Sequence, residues 1–187
     1  MKSVTKILSR VFPINPNIPK NVLEQARVRG TTVHEWIEKY NKYLVDGGEY
    51  PVIPLEYQIY ADYYKKWIED YEVVPLYTEL KLVDYDKDIV GIIDMVCKTK
   101  EDEKTIVDFK ITYSYDLPYV ELQSSAYNHL GRVNGIVSIN TPQHLLHISK
   151  SGYNYVRLED KTDLFFKIKE IDDYIENRGK DKWLHFL

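Results

Sequence analysis

Apolar residues recur at helical spacing in the first half of the chain. Over residues 19–43 this spacing predicts helical structure, which Gly30 and the threonines that follow it are expected to interrupt. A second helix is then predicted to begin at Thr31 or Thr32, since a threonine side chain can cap the free backbone amides of a first turn. The glycine pair that starts at Gly47 is predicted to end this helix.

The segment from Pro54 to Tyr71 predicts a further helix with one apolar face. The residues of that face are Tyr57, Tyr60, Ala61, Tyr64, Trp67 and Ile68. After Pro75 the period changes to that of strands, and three are predicted, over residues 76–85, 88–98 and 105–114. Short charged turns separate them, so we expect an antiparallel meander.

The rest of the chain alternates between helix and strand. A helix is predicted from Val120 to Asn134, and one or two strands are predicted in segments 135–141 and 144–150. A C-terminal amphipathic helix is predicted from Asp160 to Glu176. Its buried face is predicted to carry Leu164, Ile168, Ile171 and Ile175. This order predicts one α/β domain over residues 1–187, built around a mixed sheet of about four to five strands flanked by helices.

Residues 1–20 contain three prolines, which predict an extended N-terminal arm after a short turn or helix. The 187 residues suffice for one sizeable core. No apolar run reaches the roughly 18 to 20 residues of a membrane span, and the first ten residues are too polar for a secretory signal. We therefore expect a cytoplasmic protein without a membrane partner. The single cysteine, Cys97, excludes an intramolecular disulfide and a cysteine-ligated zinc or iron–sulfur site.

Candidate chemistry begins at Asp108 and Lys110. Residues i and i+2 of a strand face the same side, so these two side chains are predicted to project together while Phe109 faces away. Taken alone, an acid beside a lysine is also what a surface ion pair of little energetic value looks like. Asp94 changes this balance, because it lies inside the apolar run GIIDMV, where a carboxylate needs a partner.

A hairpin through residues 98–104 would bring Asp94 next to Asp108 on the neighbouring strand. Two adjacent carboxylates repel each other unless a cation lies between them, and Mg²⁺ or a similar hard cation prefers such oxygen ligands. Lys110 could then orient or help to deprotonate an attacking water, or stabilise the charge that grows on a phosphate. Glu79, one strand earlier, could add a third carboxylate or could simply face solvent. The formal net charge of −4 neither supports nor excludes a nucleic-acid substrate, since a bound cation offsets clustered acids.

Four motifs along the chain resemble those of a known nuclease group. In order they are GTTVHEW (30–36), GIIDMV (91–96), IVDFK (106–110) and QSSAY (123–127). The last three resemble the GxxD, DxK and QxxxY motifs of the RecB-like branch of the PD-(D/E)XK nuclease superfamily, and the first resembles the histidine-bearing helix that this branch places before its core strands. The resemblance covers about half of the chain. It implies a restriction-endonuclease-like core, with the catalytic strands and helix in residues 75–130.

The resemblance also implies roles for individual residues. Asp94, Asp108 and His34 would be ligands of Mg²⁺ or Mn²⁺, with the Phe109 carbonyl as a further ligand, and Lys110 would be the catalytic lysine. A lone histidine on a helix is otherwise more often structural. Gln123 and Tyr127 stand at i and i+4 on one helical face. There they would position Lys110, the water or a phosphate, although such a pair is also ordinary on a helix surface.

The implied function is metal-dependent hydrolysis of phosphodiester bonds in DNA, more readily by an exonuclease than by a sequence-specific enzyme. The implied setting is recombination, repair or phage DNA processing, with a recombinase or helicase as the kind of protein partner that would fit. The cysteines that hold an iron–sulfur cluster in some relatives are absent, so the resemblance is to the cluster-free, phage-type enzymes. The remaining basic residues, among them Arg27, Arg29 and Arg132, could line a DNA path or be solvated surface.

Two other hypotheses fit the same residues. The chain could be a catalytically inactive nuclease-like module that binds DNA or a protein. It could also be an unrelated α/β protein in which Asp94 and Asp108 serve hydrogen bonds in the core.

Overall fold

A six-stranded mixed sheet organises the described residues of the computed structural model, which are residues 1–184 for the backbone and 1–178 for the side chains. Its strands are β1 (Lys2–Ser3), β2 (Val74–Asp84), β3 (Ile89–Lys98), β4 (Thr105–Lys110), β5 (Gln143–Ser149) and β6 (Gly152–Arg157). The helices are α1 (Val4–Leu8), α2 (Lys20–Asp46), α3 (Gln58–Asp70), α4 (Leu117–Val133) and α5 (Thr162–Leu184), and a single-turn 3-10 helix (Leu55–Tyr57) precedes α3. The predicted α/β class, with helices flanking a mixed sheet, is confirmed. None of the described helices is both long and apolar enough to cross a lipid bilayer.

β3 is the centre of the sheet and has three partners. It runs antiparallel to β2 and β4, as the predicted meander requires, and parallel to β1. β4 then pairs in parallel with β5, and β5 pairs in antiparallel with β6. Because β2 covers one edge of β3 along its length, β1 and β4 share the other edge. The stretch of that edge between Val90 and Met95 pairs with neither strand.

Two cores lie on opposite faces of the sheet. One is formed by α2 and α3 against the side chains of Met95, Val107, Phe109 and Leu146. The other is formed by α1, α4 and α5 against Ile93, Val96 and Ile106 and the residues around them. The apolar face predicted for the helix at residues 54–71 packs into the first core. This two-layer burial holds both β4 and α4 in fixed positions against β3.

The helix over residues 20–46 is continuous, so the predicted break at Gly30 is wrong. Gly30 lies inside α2, and the threonines that follow it continue the helix instead of capping a new one. A glycine inside a helix costs roughly 0.5–1 kcal/mol relative to alanine, which burial of Val33, Trp36 and Ile37 on the next two turns readily offsets. The predicted end at Gly47, which has a φ of 73°, is confirmed.

The N-terminal arm is shorter than predicted, because residues 2–8 belong to the sheet and the second core. Lys2 and Ser3 pair with the start of β3, and Val4, Ile7 and Leu8 are buried. Between Lys2 and Lys20, the segment from 9 to 19, which holds the three prolines, lacks helix and strand. α1 is the short turn or helix predicted before the arm, whereas β1 was not predicted.

The buried face of α5 differs from the predicted one. Ile168 is buried as expected, but Leu164, Ile171 and Ile175 are between 46% and 59% exposed. The helix turns Phe165 and Asp172 inward instead, because Lys2 and Arg10 reach Asp172 at 2.7 and 2.5 Å. Segment 135–141 forms turns and no strand, whereas β6, which no pattern predicted, completes the sheet.

Candidate active site

Lys110 lies at the end of β4, where three side chains from two elements meet. Its Nζ is 2.6 Å from Oδ2 of Asp108 and donates a hydrogen bond of 2.9 Å to Oε1 of Gln123. The Gln123 amide in turn donates to the Tyr127 hydroxyl, also at 2.9 Å. Gln123 and Tyr127 are each 6% exposed, so they are not the ordinary surface pair that their spacing alone allowed. The structure therefore joins Asp108, Lys110, Gln123 and Tyr127 in one chain of contacts.

Asp94 occupies the point where β3 and β4 separate. The paired residues end at Met95 and Val107, and continuing the register would set Asp94 opposite Asp108. At that point Oδ2 of Asp94 accepts a hydrogen bond of 2.7 Å from the backbone amide of Phe109. This bond fixes one carboxylate oxygen of Asp94 against β4 and leaves the other for a different partner.

Asp94 also belongs to a second cluster, together with His34 and Glu79. Among the described residues, His34, Glu79 and Asp94 each offer a ligand atom, and these atoms lie within 4.8 Å of one another. The Nδ1 of His34 is 3.8 Å from Oε1 of Glu79. Glu79 thus joins His34 and Asp94 more closely than the motif pattern implied, while Asp108 contacts Lys110. The Phe109 carbonyl stays a predicted ligand, and the Phe109 ring packs edge-on to His34 at 5.9 Å between centroids.

In both β3 and β2, the side chains before and after the acid point to opposite faces of the sheet. The acids at which this change occurs are Asp94 and Glu79. On β3, Ile93 packs into the core under α4, but Met95 packs into the core under α2 and α3. On β2, Leu80 packs toward α4, whereas Thr78 accepts a hydrogen bond from Asn41 of α2. A regular strand would keep residues i and i+2 on one face.

Glu79 is the residue of β2 at which this change occurs. Its φ of 51° lies in the left-handed region, and Glu79 and Asp94 are skipped between the pairs Thr78–Met95 and Leu80–Ile93, which share one register. A carboxylate-bearing residue held in this region costs free energy, and such strain often coincides with functional sites. Because the strand changes facing at this residue, the Glu79 side chain lines the cleft beside α2. The other interpretation of the sequence had this side chain facing solvent.

Burial and mutual repulsion disfavour negative charge on the two aspartates. Burial raises the pKa of Asp108 to about 6, with Asp94 adding to the shift and Lys110 opposing it. Burial likewise raises the pKa of Asp94, although His34 and Lys110 act against that shift. Glu79 is less buried than Asp108, with 31% of its side chain open to solvent. The pair of acids is therefore poised to gain stability from an added cation.

For the two basic groups, Lys110 and His34, the nearby acids outweigh burial and raise the pKa. Burial lowers the pKa of Lys110, but Asp108 and Asp94 outweigh it and the net shift is upward. Burial also lowers the pKa of His34, and Glu79, Asp94 and Asp108 together reverse it. Lys110 consequently carries its positive charge at neutral pH in this arrangement.

An open cleft of about 500 Å³ gives access to His34, Glu79 and Asp94, which line it. It is bounded by β2, β3 and the middle of α2, and Tyr127 forms part of its wall. Sequence reasoning missed Thr31, Glu35 and Glu38, which also line it. The helical spacing of Thr31 and Glu38 from His34, three and four residues away, was the signal that could have found them.

The predicted arginines are not gathered at the cleft. Arg27 forms an exposed ion pair with Glu24 at 2.6 Å, and Arg132 donates to Thr162 of α5. Arg29 alone adjoins the site, where its Nε donates to the carbonyl of Ile111, the residue after Lys110. A larger cavity of about 680 Å³ lies elsewhere, beside Lys2 and Lys169, where acids from the same walls already pair with the lysines.

Two solved structures have folds similar to that of this chain. The chain resembles a candidate exonuclease from Eubacterium rectale with a TM-score of 0.56 at 10% identity, covering 96% of this chain and 81% of that one. The two proteins share a fold. The chain also resembles the protein SSO0001, with a TM-score of 0.52 at 12% identity, over 94% of this chain and 76% of that one. No protein-family model and no curated protein sequence matches the chain.

Proposed function

We propose that this protein is a metal-dependent nuclease of the RecB-like kind that hydrolyses phosphodiester bonds in DNA. The observation that carries the proposal is the position of Lys110. It is held by Asp108 and Gln123, and it adjoins a cluster of His34, Glu79 and Asp94 that can hold a cation. A buried lysine next to acids that line a cleft suits a reaction in which negative charge grows on a phosphate.

The residues present fit a hard divalent cation. Ligand atoms that share one ion at about 2.0–2.6 Å must lie within a few ångströms of one another, as those of His34, Glu79 and Asp94 do. Oδ2 of Asp108 is buried and, although it touches Lys110, has no partner in hydrogen-bond geometry among the described residues. The carboxylate oxygens suit Mg²⁺ or Mn²⁺, and the imidazole of His34 would add one nitrogen ligand. Asp108 and the Phe109 carbonyl are the further ligands that we propose.

A bound divalent cation would supply Lewis-acid polarisation of the scissile phosphate and a water of lowered pKa. Lys110, which the acids around it keep charged, places its ammonium beside the developing negative charge. Gln123 holds that ammonium in position, and Tyr127 holds the Gln123 amide. His34 and Glu79 would hold the cation together with Asp94.

DNA as the substrate and attack at an end rest on the sequence motifs, and the shared fold with a candidate exonuclease agrees with them. The setting that we propose is recombination, repair or phage DNA processing, with a helicase or recombinase as the fitting partner. Arg29 is the predicted cation best placed to contact DNA, since it borders the strand that carries Lys110.

The test incubates the protein with linear and circular DNA, single- and double-stranded, in EDTA and then with Mg²⁺ or Mn²⁺. We expect degradation of linear DNA in the presence of metal only. Lys110→Ala should lower the rate by about a hundredfold or more, the usual effect of removing a group that stabilises transition-state charge.

Lys98→Met is the matched control, because Lys98 lies on the neighbouring strand with its side chain 50% exposed. It should degrade DNA at the wild-type rate, and circular dichroism should show all three proteins folded. Degradation that survives Lys110→Ala would point to a contaminating nuclease and end the proposed mechanism. Binding without hydrolysis under every condition would favour the inactive nuclease-like module.

A further inference from the structure

A separate pocket of about 400 Å³ opens beside the segment that follows β4, and none of its lining residues lines the cleft at His34, Glu79 and Asp94. It lies between α2, the segment after β4 and the β5–β6 turn, and Tyr60 of α3, only 3% exposed, also lines it. Thr112 in its wall is two residues from Lys110, so their Cα atoms are at most about 7 Å apart. The pocket and the candidate active site therefore lie within reach of one short ligand strand.

Two cations face this pocket from different elements. Arg29 reaches it from α2 and uses Nε to contact Ile111, while Lys150 lies at the tip of the turn that Ser149 and Gly152 close. The ion pairs of the described residues include neither of them. Two uncompensated cations in a protein of net charge −4 mark a local site for anions.

The Thr112 hydroxyl supplies a third polar group. Its Oγ1 is buried and has no hydrogen-bond partner among the described residues. A buried hydroxyl without a partner costs about 1–3 kcal/mol, and an anionic oxygen in the pocket would remove that cost. The carbonyl of the same residue is already satisfied by His147 at 2.9 Å, so only the side chain is left for a ligand.

Tyr113 stands at the rim and is 95% exposed. An aromatic ring this open to solvent contributes nothing to the core, but it offers a flat face on which an unpaired base can stack. A base inside a duplex cannot use such a ring, because both of its faces are already stacked on its neighbours. The ring therefore favours a strand that is single at this point.

The geometry points to a subsite for an unpaired nucleic-acid strand next to the candidate active site. Arg29, Lys150 and the Thr112 hydroxyl bind its phosphates, and Tyr113 stacks on one of its bases. The inference rests on the proposed nuclease function for its substrate class and adds a preference for a single-stranded or frayed end.

The test measures binding apart from hydrolysis. Fluorescence anisotropy in EDTA follows a short labelled oligothymidylate, and a labelled duplex of mixed sequence, over a series of salt concentrations. Tyr113→Ala should weaken binding of the single strand by about tenfold, the order of one base–aromatic stack, and leave duplex binding unchanged. The double variant Arg29→Gln with Lys150→Gln should reduce the salt slope by about 1.4, since each phosphate contact on a single strand contributes about 0.7.

Tyr85→Ala and Lys167→Gln are the matched controls. Tyr85 is 81% exposed at the β2–β3 turn, and Lys167 is exposed on α5, so neither should change affinity. Unchanged single-strand affinity in Tyr113→Ala, an equal loss for the duplex, or no binding by the wild type overturns the inference. Hydrolysis with Mg²⁺ is measured in parallel: if it occurs and Tyr113→Ala binds normally, only the subsite is wrong. If the binding pattern holds and no hydrolysis occurs, only the nuclease is wrong.

Discussion

The backbone of Glu79 has a φ of 51°, a conformation that costs a residue with a Cβ atom about 1–2 kcal/mol. The same residue brings a carboxylate to His34 and Asp94. Stability and ligand geometry therefore compete at this one position, a conflict expected where function retains strain.

Two substitutions separate these contributions. Glu79→Gly removes both the carboxylate and the strain, whereas Glu79→Gln removes the charge and keeps the backbone cost. We expect Glu79→Gly to have the higher free energy of unfolding, by about 1 kcal/mol, in urea titrations with EDTA. Both should be poor nucleases. Equal stability of the two variants would show that the left-handed backbone carries no cost.

The sequence revealed most of the site at this scale and missed its geometry. Asp94 was found because a carboxylate in an apolar run is unusual, and Lys110 because strand alternation sets it beside Asp108. For Glu79 the sequence allowed two interpretations, a third carboxylate of the site or a solvent-facing residue. Its conformation depends on β2 and β3 both changing the sheet face to which their side chains point, and no local pattern in β2 predicts that change.

The two glycines next to the site have opposite surroundings. A Cβ at Gly91 of β3 would lie 2.8 Å from atoms of both Leu130 and Tyr127 on α4, whereas a Cβ at Gly30 of α2 would meet nothing within 4 Å. Gly91 therefore allows α4 to approach β3 closely, and through Tyr127 it sets the position of Gln123. Gly30 serves no such contact.

Alanine at these positions should have effects of opposite sign. Gly30→Ala should stabilise the protein by about 0.5–1 kcal/mol, because alanine favours the helix that runs through this position. Gly91→Ala should destabilise it by about 1–3 kcal/mol through overpacking and should lower the nuclease rate. Denaturant titrations of both variants beside the wild type provide the measurement. Destabilisation by Gly30→Ala would mean that α2 bends at this residue.

Element prediction failed where distant residues decide the outcome. The helix at 20–46 continues through Gly30 because its next turns are buried under the sheet. The orientation of α5 follows from ion pairs to Lys2 and Arg10, which lie at the other end of the chain. β6 alternates weakly and is fixed by pairing with β5.

Cation binding should register in the stability of the whole molecule. Repulsion between the buried acids destabilises the metal-free folded protein. A ligand that binds only the folded state stabilises it by about 2.7 kcal/mol at a hundredfold excess over its Kd. For a chain of this length each kcal/mol raises Tm by about 2–4 °C. Mn²⁺ or Mg²⁺ should therefore raise Tm by about 5–10 °C over its value in EDTA.

Asp94→Asn should abolish most of this shift, while the asparagine oxygen can still accept the bond from the Phe109 amide. Asp46→Asn is the control, since Asp46 is exposed at the end of α2 and should keep the full shift. Differential scanning calorimetry at matched ionic strength makes the comparison. A shift that Asp94→Asn retains would place the cation elsewhere.

Ion pairs join the N-terminal strand β1 to the C-terminal helix α5. Lys2 lies 2.7 Å from Asp172 and 2.8 Å from Asp173, across a separation of 170 residues to the first of them. During synthesis these contacts cannot form until Asp172 has left the ribosome, whereas the pairing of β1 with β3 needs no residue beyond β3. The ion pairs of Lys2 therefore fix β1 to α5 only after the sheet and α4 have been made.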